Sequence, residues 1–166
     1  MTDTASTEPM AVPDREAVRA ELENTRTAYH ALLKSLSPED WKKKSGNSTW
    51  TVKQLLWHIA WGSGYLPRAV DNCRTGRRGR LPPLFNQLNI IVTRLGSARA
   101  TPESLARKFD ESHEAIVTTL NGVRDDEWQK GTQNYLGYTT VEDCFRNVIA
   151  HFREHEADIR KGLGRA

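Results

Sequence analysis

Cysteine is scarce in this chain, with Cys73 and Cys144 the only two among 166 residues. They show no CxxC spacing, which excludes a disulfide framework and a cysteine-built zinc site. Long hydrophobic runs are missing too. A helix that crosses a bilayer needs about 20 consecutive apolar residues, and neither such a run nor a cleavable apolar signal is found, so a reducing cytoplasm and no membrane partner are expected. Charge of one sign is not in large excess either: 24 Lys plus Arg against 21 Asp plus Glu leave +3. Arg74, Arg77, Arg78 and Arg80 cluster in a Gly-rich turn without interleaved aromatics or a known reading motif, so nucleic acid is not an expected partner. They read as solvated loop charge, with an anion or acidic-substrate contact as the alternative. No stretch alternates at period two, so no strands are expected and the fold class is all-α.

What is present is helical periodicity. Met1 to Val12 is rich in Thr, Ser and Pro and reads as a frayed segment; residues 13–166 then form one domain, long enough for a single core. The first helix starts at Pro13, with Asp14 and Glu16 complementing its dipole and an apolar stripe from Val18 through Leu22, Tyr29 and Leu32 to Leu36. The second starts near Thr49, taken as its N-cap, and carries Val52, Leu55, Leu56, Ile59, Leu66 and Val70. Pro67 predicts a kink in it. The stretch Gly76 to Ala100 reads as a long crossover with a short helix around Leu84 to Leu95. A third helix opens at Thr101-Pro102 and buries Leu105, Phe109, Ile116 and Leu120. A fourth opens near Thr139 or Thr140 and buries Val141, Phe145, Phe152 and Ile159.

The chain also resembles itself. A helix, an acidic turn ending at Trp41 and a Thr51-Val52 helix start recur as a helix, an acidic turn ending at Trp128 and a Thr140-Val141 start. Two helix–turn–helix halves joined by a long crossover predict a four-helix bundle.

The most telling residues are histidines. His151 and His155 stand four apart, which stacks them on one helix face about 5–6 Å apart, and at 100° per residue they flank the apolar stripe beside Val148. Two imidazoles so placed can share one metal ion. The best third ligand is His58, on the margin of the second helix's stripe; His113 is the rival, and His30 reads as surface. Asp158, one turn beyond His155, or Glu154 is placed to orient an imidazole or shuttle a proton. Asn147 lies on the same flank, and Trp61 and Tyr65 lie near His58; these three are the candidate substrate contacts. Cys144, among Val141, Phe145 and Val148, reads as inert core filler, with a nucleophile as the alternative.

At these residues the sequence resembles the DinB-like superfamily. Trp50-Thr51-Val52 followed by His58, then the His151/His155 pair, and the connectors ending at Trp41 and Trp128, carry the resemblance from about Pro13 to Leu163. It implies a four-helix bundle with a three-histidine site for zinc, nickel or a similar divalent ion. It also implies a small-molecule electrophile as substrate and, in some members, a low-molecular-weight thiol as co-substrate. Gly62 and Gly64 depart from the bulkier residues of many relatives and imply a wider pocket beside His58.

Three neutral imidazoles leave a metal open to water or thiolate, as catalytic sites require. The expected function is therefore a metal-dependent transferase or isomerase, or a hydrolase. A non-enzymatic binding or self-resistance protein using the bundle groove is the alternative, and a homodimer built on exposed aromatic surface a further one. His151-Phe152-Arg153-Glu154-His155 is not HExxH, which disfavours a zincin-type protease.

Overall fold

The helix that carries His58 and the helix that carries His151 and His155 each begin at a threonine. The Thr51 hydroxyl accepts from the Gln54 N–H while the Gln54 side chain accepts from the Thr51 N–H, opening α2 (Val52–Gly62). Thr140 and Asp143 make the same reciprocal pair at the head of α6 (Val141–Gly162). Both arrangements satisfy backbone donors that a helix start leaves orphaned. The cap of the second helix is thus Thr51 and not Thr49, because only Thr51 has a partner three residues on.

The computed structural model describes residues 12–79, 83–135 and 137–165. The expectation of a frayed start falls, apart from Val12, on residues outside that set, and so does Arg80. The remaining helices are α1 (Arg15–Ser35), α3 (Leu66–Thr75), α4 (Phe85–Ser97) and α5 (Pro102–Asn121). Asp14 caps α1 by accepting from the Glu16 and Ala17 N–H groups, and Thr101 caps α5 ahead of Pro102. The expected kink takes the form of a 3₁₀ interruption: α2 ends at Gly62, a 3₁₀ turn spans Ser63–Tyr65, and Pro67 sits in the first turn of α3. A proline there costs no helical hydrogen bond, so the ring is accommodated where a helix interior would clash with it.

The all-α expectation is corrected by a hairpin. β1 (Gly131–Asn134) pairs antiparallel with β2 (Gly137–Thr140), Thr132 opposite Thr139. Both threonines are buried while Tyr138 faces out. The period of two is present but written in threonine, whose branched Cβ suits a strand without giving a hydrophobic signal. The first half holds a smaller counterpart, a single antiparallel bridge between Lys44 and Thr51. The acidic turns correspond as well. Asp40 is buried and paired with the exposed Lys43 and Arg165, and Glu127 is buried and paired with Arg74 and the exposed Arg124. Arg74 is therefore a structural ion-pair partner and not solvated loop charge.

The fold is mostly helical with this one small sheet. α1 packs on α5 and α6, α2 on α4, α5 and α6, and α3 on α5, α6 and the hairpin. One apolar cluster joins Tyr29, Leu55, Ile59, Phe109 and Phe152; the other joins Leu22, Val70, Trp128, Val141 and Phe145. Tyr29 stacks on Phe109 with centroids 4.0 Å apart and donates its hydroxyl to the Leu56 carbonyl at 3.0 Å. That pair fixes α1 and α5 against α2, and hence the height at which His58 meets α6. Among the described residues no helix is long and apolar enough to cross a membrane.

Candidate metal centre

On α2, burial of Leu55, Leu56 and Ile59 turns His58 toward α6. On α6, burial of Phe152 and Ile159 leaves His151 and His155 on the flank that meets α2. His58 Nε2 lies 3.2 Å from His151 Nε2, a hydrogen-bond distance when one ring carries its proton there. One nitrogen from each of the three rings falls within 4.8 Å of the others. Tetrahedral ligands at about 2.0–2.1 Å from zinc stand roughly 3.3 Å apart, so this donor set is close to the spacing that a shared ion demands. Among the described residues it is the one group of three or more potential ligands so gathered.

The electrostatics suit neutral donors. Burial, then the neighbouring imidazoles, pushes His58 down to about 3. Burial and then His155 push His151 down to about 4. Both rings are accordingly uncharged near neutrality, with lone pairs available. Asp158 Oδ2 lies 3.3 Å from His155 Nδ1, a contact that holds the proton on Nδ1 and leaves Nε2 free. Glu154 is exposed one residue before His155.

Trp50 closes the site on one side. Its ring lies over His58 with centroids 4.6 Å apart and meets His155 edge-on at 6.3 Å. As a site wall it escaped the reading of the sequence, although its place directly before the cap residue was a signal: the cap turns the chain back across the helix start. Trp61 stacks on Trp57 at 5.5 Å and meets Tyr65 edge-on at 4.8 Å; Tyr65 is half exposed, and Asn147 is exposed on α6. A Cβ on Gly62 would stand 3.7 Å from the His151 ring, so the room beside the histidines comes from Gly62. Gly64 faces Ser112 instead.

The other histidines are elsewhere. His113 is buried and pairs with Glu23 at 2.9 Å. His30 is not plain surface but pairs with Asp110, also at 2.9 Å. Cys144 lies 3.7 Å from Cys73, and burial first of all raises both thiols above their ordinary range. Neither is a ready nucleophile.

The fold recurs in solved structures. The crystal structure of the mycothiol-dependent maleylpyruvate isomerase superposes with a TM-score of 0.71 at 16% identity, and a histidine-to-alanine mutant of that isomerase with 0.71 at 15%. Each match covers 89% of this chain but 61% of the isomerase chain. No curated protein matches the sequence. The profile of the DinB superfamily matches residues 21–159, and with that match spanning most of its length the chain belongs to the DinB superfamily.

Proposed function

We propose that this protein is a metal-dependent enzyme in which His58, His151 and His155 hold one divalent ion, zinc or nickel. It uses a low-molecular-weight thiol or a water against a small-molecule electrophile, as an S-transferase, an isomerase or a hydrolase. The single observation that carries the reading is the convergence of three imidazoles from two helices on one point. An ion bound by three neutral imidazoles lowers the pKa of a thiol or water, making thiolate or hydroxide available near neutrality.

The chain's own residues do the rest. His58 and His151, kept uncharged by burial, offer donors without a proton to displace. Asp158 fixes the His155 tautomer. Trp50 covers the His58 face and keeps water off that side. Gly62 leaves space beside His151; the Trp61–Tyr65 pair is the apolar stacking surface for the substrate and Asn147 its polar contact. The thiol reading is favoured over hydrolysis by the fold likeness to the mycothiol-dependent isomerase. The framework is read as a four-helix bundle in which α2 and α3 form one interrupted rod and α4 lies in the crossover.

Elemental analysis of protein purified without added metal, followed by titration with zinc and nickel, tests the site. One equivalent of ion is expected for the native chain and none for His155→Ala, with the helical circular dichroism retained. Uptake unchanged by that substitution removes the proposal. Turnover of a thiol–electrophile pair by loaded protein, lost on chelation, separates an enzyme from a sequestering protein.

A further inference from the structure

Helix α4 is built inside out. Thr93 and Ser97 are fully buried against the body of the protein, while Leu88, Ile91, Val92 and Leu95 face outward. Leu84, at the mouth of the helix, is 69% exposed and Leu95 is 73% exposed. The inward side, where Ile90 also packs on the core, is kept small near its C-terminal end because α4 lies close on α2: a Cβ on Gly96 would overlap the Trp57 indole. The outward side has no such need. Leucine, isoleucine and valine there form a stripe at 84, 88, 91, 92 and 95, the spacing of a helix seam that meets another helix.

We propose that this face is a self-docking surface, on which α4 of a second copy of this chain packs antiparallel about a two-fold axis. Three observations select a second copy as the occupant. The first is register. An axis between Asn89 and Ile90 places Leu84 opposite the partner's Leu95 and Leu88 opposite the partner's Ile91. Four of the five apolar residues then meet an apolar symmetry mate, as an isologous interface requires, while Val92 falls opposite the partner's Gln87. The second is charge. α4 carries no acidic residue and Arg94 as its one basic residue. An antiparallel pairing sets each Arg94 opposite Phe85 rather than opposite the other arginine. The third is area. These five side chains are 39–73% exposed, roughly 500 Å² per copy, so their complete burial in a pair would hide about 1,000 Å², the lower bound for a specific interface and more than isolated surface leucines account for.

The surface lies apart from the histidines, so its test does not depend on the metal reading. Sedimentation equilibrium of the full chain should give the mass of a dimer. Ile91→Lys and Leu95→Glu, at positions 52% and 73% exposed, should each halve the mass while leaving the helical circular dichroism unchanged. Leu88→Cys, on the docking face beside the axis, should form a covalent dimer under mild oxidation by a small disulfide, because the proposed pairing brings it near its own symmetry mate. A monomeric native chain overturns the proposal, as does a dimer that survives both charge substitutions. Co-sedimentation of a monomer with zwitterionic lipid vesicles, lost in Leu95→Glu, would assign the face to a lipid surface and also refute it.

Discussion

Acidifying the metal-free protein from about pH 7 to about pH 5 removes roughly 4 kcal/mol of stability through His58 and His151 alone. The sign follows from the direction of their shifts. Burial holds the folded rings at about 3 and about 4, below the ordinary 6.5. Above the ordinary value both states are neutral and nothing is lost. Below it the unfolded chain binds protons that the folded chain refuses, so stability falls with pH until the folded values are reached. At about pH 5 each unfolded imidazole gains about 2 kcal/mol from protonation, and the folded rings gain almost nothing. The carboxylates held low by partners, Asp40, Asp110 and Glu127, lose their contribution only as pH drops through about 4, so the window is largely free of them. The assay is urea unfolding at both pH values, for the native chain and for the doubly substituted His58→Gln, His151→Gln chain. The native chain should lose about 4 kcal/mol more than the double variant over this interval. Equal losses would show that the two rings are not held neutral by burial, and would undercut the argument that they are ligand-ready.

Further outcomes follow from the same geometry. Asp158→Asn keeps the shape but not the charge beside His155 Nδ1, and should weaken ion affinity about 10- to 100-fold in competition titrations. Thr140→Ala removes one half of the reciprocal cap on α6 and should cost about 1 kcal/mol in denaturant unfolding. Gly96→Ala forces a methyl into the Trp57 indole; it should destabilise by about 1–3 kcal/mol and change the intrinsic tryptophan fluorescence. Both thiols should resist maleimide in the native chain and react on unfolding, since Cys73 and Cys144 are buried.

Much of the architecture was legible because its causes are local. The buried faces of the helices around Leu55 and Ile59, or Phe145 and Phe152, follow from a 3.6-residue repeat that any docking must respect. The hairpin was not legible, because its inward positions are threonines. The direction of the α4 face was not legible either, for a related reason. Periodicity reveals that a helix has an apolar side but not whether that side meets the chain's own core, and here Thr93 and Ser97 took the inside.

The pairing of His151 with His155 was determined by sequence alone, since four residues along one helix leave no freedom in their spacing. So were the cap at Thr101 and the likeness of the two halves, whereas the choice between Thr139 and Thr140 as the last cap fell to the structure. Only the tertiary structure could bring in His58, 93 residues distant, to 3.2 Å from His151, or lay Trp50 over it. The height and rotation at which α2 meets α6 depend on contacts such as Tyr29 against Phe109 and Leu56. Those belong to neither helix's own pattern, and a slip of one turn, about 5.4 Å, would have separated the three nitrogens.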